Sequence, residues 1–179
     1  MGSTTQAFAF LVETLFQLYL AALMLRLLLE AVRADFYNPV CQALVLVTDP
    51  LIKPLSRILP RVGPVNLAGL LVLYLLQVLA LILLLLIAGA PINPVVLALL
   101  AVMRLVRMLL MLYLVLIVVV VILSWVGQSF RHPIIPLLFQ LTDPVLAPIR
   151  RVLPSLGGFD LSPLVAIIGI QFLIILLGV

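Results

Sequence analysis

The chain has 179 residues, 66% of them hydrophobic and only 9% charged, with a formal net charge of +4. Soluble domains carry about 25% charged residues, so this composition excludes an ordinary soluble protein and indicates an integral membrane protein with the length of one domain. Cys41 is the only cysteine, which excludes an internal disulfide or redox pair.

The N-terminal stretch, Met1 to Ala7, has no Lys or Arg, and the apolar run after it contains Glu13 and Gln17. A secretory signal needs a basic start and a short clean core, so no cleavage is expected. The first predicted span covers residues 8–29, long enough to cross about 30 Å of hydrocarbon. Arg26 and Glu30 lie one turn apart near its far end, where a local pair at the interface is expected.

The next segment, 38–62, neither spans nor looks soluble. Asn38-Pro39 reads as a helix start, and Val40, Ala43, Leu44 and Val47 keep one face apolar. Thr48-Asp49-Pro50 is expected to stop that helix and cap a second one, with Asp49 as a cap and Pro54 distorting its first turn. On the second helix Leu51, Leu55, Ile58 and Val62 share one side, and Lys53, Arg57 and Arg61 recur on the other. That is the pattern of a helix lying among lipid headgroups, with a re-entrant hairpin as the alternative. Pro60, Gly63 and Pro64 end the element.

The second predicted span, 65–88, contains little that is polar beyond Asn66, Tyr74 and Gln77. An uncharged turn follows, then a third span over 95–126, longer than a bilayer needs, with Arg104 and Arg107 in its first half. The second connector, 132–156, resembles the first and carries Arg150 and Arg151; the last span runs over 160–179.

The two connectors resemble each other because the chain is duplicated. Thr142, Asp143, Pro144, Pro148, Arg151 and Pro154 repeat Thr48, Asp49, Pro50, Pro54, Arg57 and Pro60 at a constant shift of 94 residues. Tyr19 falls on Tyr113 and Gln77 on Gln171. Matched prolines imply matched backbone breaks, so residues 1–90 and 91–179 are two copies of one unit. The expected fold is an all-α membrane protein of four transmembrane helices, built from two parallel-oriented tandem repeats. Each repeat is helix, interfacial proline-broken helices, helix. Basic residues concentrate in the two connectors, which places both in the cytoplasm and both termini outside. This distribution suits the anionic inner leaflet, with no nucleic acid bound directly.

Glu13 falls on Arg107 under the shift, so the two are expected to pair across the halves, with Arg104 as the competing partner. A structural clamp is the first interpretation and a proton or ion relay the second. Gln77 and Gln171 are expected to act as interhelical glue. His132 is the only histidine and stands beside a helix start. No nucleophile–base pair, phosphate loop or metal cluster is present, so neither an enzyme nor a cofactor is expected.

The string Thr48-Asp49-Pro50-Leu51-Ile52-Lys53-Pro54-Leu55-Ser56-Arg57-Ile58-Leu59-Pro60 resembles the signature of the YggT family of bacterial integral membrane proteins. Leu141-Thr142-Asp143-Pro144, Arg150-Arg151, Leu153-Pro154 and Gly157-Gly158-Phe159-Asp160-Leu161-Ser162-Pro163 resemble it more closely still. The first copy departs at Gly63-Pro64-Val65-Asn66-Leu67-Ala68-Gly69. The resemblance implies a bacterial plasma-membrane (inner-membrane) protein linked to osmotic or extracytoplasmic stress, with relatives associated with division and cytochrome b maturation. It also implies a small assembly or adaptor protein acting on other membrane proteins, with Arg57 and Arg151 as candidate contacts. The alternative is a channel or ion pathway active in osmotic stress, for which four spans enclose little of a pore alone and an oligomer is one route.

Overall fold

A computed structural model describes residues 2–126, 132–152 and 160–178. Helix α1 spans Ser3–Ala31, α2 Pro39–Ser56, α3 Leu67–Ala88, α4 Pro94–Val126, α5 Ile134–Val152 and α6 Ser162–Leu177. A two-stranded antiparallel hairpin, β1 (Arg61–Val62) and β2 (Val65–Asn66), joins α2 to α3. Three helices, α1, α3 and α4, are long and apolar enough to cross a membrane, while α6 is apolar but only 16 residues long. Large side chains such as Phe8, Leu15, Leu75, Leu99, Ile122 and Phe172 are exposed along these helices, as lipid-facing surfaces would be.

The local chemistry accounts for the boundaries. Asn38 Oδ1 accepts from Val40 N at 2.9 Å, and Asn66 Oδ1 from Gly69 N at 3.0 Å. Asn93 Oδ1 accepts from Val95 N at 3.0 Å, one residue inside Pro94. Each supplies an acceptor for amides that a helix start leaves unpaired. His132, at the position equivalent to Asn38, caps α5 in the same way, Nδ1 accepting from Ile134 N at 3.3 Å. Gly89 closes α3 in the left-handed region at φ 65°. In the hairpin, Gly63 takes φ 61° at the first turn position, which a two-residue turn of the primed kind requires.

The proline motifs differ from expectation. α2 continues through Pro50 and Pro54, and α5 through Pro144 and Pro148, with no break at Thr48-Asp49-Pro50 or its copy. Asp49 and Asp143 therefore lie inside helices and cap nothing. Pro50, Pro54 and Leu46 are exposed, so the carbonyls that lose their donors lie on the outer side of α2, where polar surroundings can satisfy them. The buried stripe also differs: Cys41, Thr48 and Ile52 face inward with Leu55 and Leu59 half-buried, while Leu51, Ile58 and Val62 are exposed. Arg61 and Val62 belong to the hairpin and not to a second helix.

Helices α1, α2 and α3 pack on one another, as do α4, α5 and α6, and the halves meet through α3–α4, α1–α4 and α1–α5. One core joins Leu20, Leu23, Leu27, Ile52, Ala68 and Leu73. A second crosses between the halves through Leu29, Cys41, Leu116, Val120, Leu138 and Leu141. Asn38 Nδ2 donates to Pro133 O at 2.6 Å, so the starts of α2 and α5 touch. α2 lies across the C-terminal half of α1, and the Tyr19 hydroxyl donates to Val47 O at 3.2 Å.

Candidate functional site

The second-last turn of α1 buries an arginine, which demands compensation. Arg26 is 5% exposed. Its Nε donates to Glu30 Oε1 at 3.0 Å, while Nη1 donates to Thr48 Oγ1 at 2.6 Å and meets Asp49 Oδ1 at 2.8 Å. Thr48 is free to accept because its own hydroxyl proton goes to Leu44 O at 2.6 Å. Asp49 Oδ2 holds Lys53 Nζ at 2.8 Å. Glu30 Oε2 accepts from Asn66 Nδ2 at 3.0 Å and pairs with Arg61 Nη2 at 3.3 Å. Since Asn66 also caps α3, one polar network ties α1, α2, the hairpin and α3 together.

Burial pushes the Asp49 carboxyl up, but the hydrogen bonds and charges of Lys53 and Arg26 outweigh it and hold its pKa below the ordinary value. Three cations face two carboxylates here. Lys53 and Arg61 keep their heads in the open, and a cavity of about 740 Å³ opens beside them, lined also by Phe36, Gln42 and Leu46.

The duplicate motif lacks this network. At the 94-residue shift Arg26 becomes Val120, Glu30 becomes Ser124, Lys53 becomes Ala147 and Arg61 becomes Ser155. Thr142 is buried, yet its hydroxyl turns to Leu138 O at 2.9 Å. Asp143 meets Arg150 Nη1 at 3.4 Å, and Arg150 Nε donates to Asp160 Oδ2 at 2.8 Å, all exposed. A cavity of about 700 Å³ lies beside Asp143, Pro144, Pro148 and Arg151, against Tyr113 and α1.

A third polar centre sits between α1, α3 and α4. Glu13, Gln17, Gln77, Arg104 and Arg107 line a cavity of about 710 Å³ walled by Met and Leu side chains. Glu13 Oε1 accepts from Gln17 Nε2 at 3.3 Å and pairs with Arg104 Nη1 at 3.2 Å. The partner is therefore Arg104 and not Arg107. Repeat equivalence sets depth only to within a turn, and the two arginines stand one turn apart on one face of α4. Arg107 lines the cavity without an ion pair or hydrogen bond among the described residues. Gln77 is buried at this cavity, whereas Gln171 is exposed on α6, so the two do not form equivalent interhelical contacts. α3 is enclosed by α1, α2 and α4, while α6 packs mainly on α4 and α5.

Arg57 ends α2 on the exposed side and Pro60 precedes the hairpin. Pro154 lies outside the described residues. Sequence reasoning found Arg26 and Glu30 as a local pair but missed their tie to Thr48 and Asp49. The signal was there: the repeat shift leaves Arg26 without a counterpart, while the Thr-Asp pair is kept twice. Among the described residues no group of three or more His, Cys, Asp or Glu converges as a metal site.

A family model described as CCB3/YggT matches the chain twice, over residues 5–87 and 99–179. An uncharacterized protein encoded in the proC 3′ region of Vibrio alginolyticus is 44% identical over 172 residues, covering 95% of this chain and 92% of that one. The uncharacterized protein YggT of Escherichia coli K12 is 39% identical over 159 residues, 89% of this chain and 82% of its own. An uncharacterized Pseudomonas aeruginosa protein is 38% identical over 175 residues, 97% and 88% of the two chains. No solved structure matches. With both halves matched by one family model and full-length relatives well above 30% identity, the chain belongs to the CCB3/YggT family.

Proposed function

We propose that the chain is a small plasma-membrane adaptor that organises other membrane proteins, serving biogenesis, division or osmotic and extracytoplasmic stress. The observation that carries this is the Arg26 network. It fixes α2 and the hairpin rigidly against α1 and α3, where loose connectors would suffice for a simple anchor. So held, α2 and the turn after it present exposed Leu46, Val47, Leu51 and Ile58 beside Lys53, Arg57 and Arg61. A mixed apolar and basic surface of this kind suits a protein partner at an anionic membrane face.

In this proposal α1, α3, α4 and α6 all span, with α6 completing its crossing through flanking residues. The connectors face the cytoplasm over the anionic inner leaflet, and both termini lie outside. The test is purification in mild detergent from native membranes after crosslinking from positions 46, 51 and 147. A partner should be recovered, and Arg57→Ala or Arg151→Ala should weaken its capture at unchanged protein level. Recovery of no partner, with the phenotype intact in both variants, refutes the adaptor.

The polar cavity at Glu13 favours a second reading, an ion pathway active in osmotic stress and formed by a homo-oligomer. Ion flux into liposomes holding only this protein supports it; sealed liposomes dismiss it.

A further inference from the structure

The α1–α3–α4 cavity holds two arginines and one carboxylate, and its depth makes that imbalance costly. α3 and α4 run antiparallel from a shared turn, with Leu81 packed on Leu97 and Ala101. Gln77 lies eleven residues before Ala88 and Arg104 ten residues after Pro94. At 1.5 Å per residue both stand about 15 Å from that turn, which is half of a hydrocarbon layer of about 30 Å. Glu13 pairs with Arg104, and Gln17 donates to the same Glu13 oxygen. Arg107, one turn deeper and on the exposed side of α4, has no acid among the described residues.

A lone guanidinium near the bilayer centre costs about 2.5–3.5 kcal/mol even on insertion scales, so the site calls for an anion. Lipid phosphates stand at the headgroup level, about 10 Å beyond Arg107 at the nearer face, and would have to reach into the hydrocarbon to meet it. A second copy of this chain brings its own surplus arginine with its Glu13, so any homo-oligomer keeps one uncancelled positive charge per copy. A carboxylate borne by another protein's transmembrane helix is already at the required depth. Helix packing also fills the groove, which is walled by Met108, Met111 and Val115.

We propose that this groove docks a transmembrane helix of a partner protein through an intramembrane Asp or Glu that pairs with Arg107. The proposal rests on the adaptor function and names the chemical class of its partner.

The experiment places a photoreactive residue at Met111 of the full chain in native membranes. An adduct with a different membrane protein is expected, through a helix bearing an intramembrane acid. Arg107→Gln should lower its yield about tenfold or more, and Arg107→Lys should retain most of it. Replacing the partner's acid by its amide should abolish the adduct in the same way. Arg107→Leu in the purified protein alone should leave thermal stability unchanged or raised, because no internal contact is lost. Adducts only with lipid or with a second copy overturn the proposal, as does a yield indifferent to Arg107→Gln or a loss of stability in Arg107→Leu. A connector-dependent partner recovered alongside any of those results leaves the adaptor function standing and removes only this docking site.

Discussion

Replacing Arg26 with valine, the residue at the equivalent position of the second repeat, should destabilise the protein by about 3 kcal/mol. Removing one partner of a buried pair costs about 3–5 kcal/mol because the other charge stays buried and uncompensated. The lower end applies. Asp49 keeps Lys53 at 2.8 Å, and Glu30 keeps Asn66 and Arg61 at 3.0 and 3.3 Å. Lys53 and Arg61 are largely exposed, so their charges replace only part of what Arg26 provides. The second repeat supplies the control. Val120 and Ser124 occupy the two positions there, and the fold forms around them. Arg26→Val with Glu30→Ser should therefore cost less than the two single changes summed, by about 1 kcal/mol or more. Reversible unfolding in mixed micelles, followed by helical circular dichroism, measures all three variants. An unchanged midpoint for Arg26→Val, or strict additivity in the double variant, refutes the buried-network account.

Because the folded Asp49 pKa is depressed, its contribution is fully present above the ordinary carboxylate value of 3.8 and disappears as pH falls through the lower folded value. Stability should decline below about pH 4, and Asp49→Asn should flatten that decline; identical slopes speak against it. Glu13→Arg and Arg104→Glu should each lower the yield of folded protein several-fold in membranes, and the double reversal should restore most of it. An equally poor double reversal rejects the pair. Asn66→Ala loses both the α3 cap and a partner of Glu30, and should cost about 1–2 kcal/mol in the same unfolding assay. Asn93→Ala removes only a cap and should cost about 1 kcal/mol or less. A reversed order contradicts the assigned roles.

Much of the architecture is legible from residue order. Long apolar runs, the shift of 94 residues between Thr48-Asp49-Pro50 and Thr142-Asp143-Pro144, and Asn and Gly at helix ends follow from local rules. Those rules account for the largely helical, apolar character of the chain, its duplication and the positions of most boundaries. They fail at the prolines. Pro50 and Pro54 oppose a helix locally, but α2 stays continuous with Cys41, Thr48 and Ile52 buried on its inner side, and so does α5 with Leu141, Thr142 and Leu146, where no counterpart of Arg26 exists.

What the chain determines by itself is which segments are apolar, where they stop and that the plan is duplicated, because these depend on neighbours along the backbone. Tertiary structure decides which charges meet: Arg26 with Asp49, Glu30 with Arg61, Glu13 with Arg104 and not Arg107. Pairing energy depends on separations of a few ångströms and on the removal of solvent. Both are set only once α1, α2, α3 and α4 have packed.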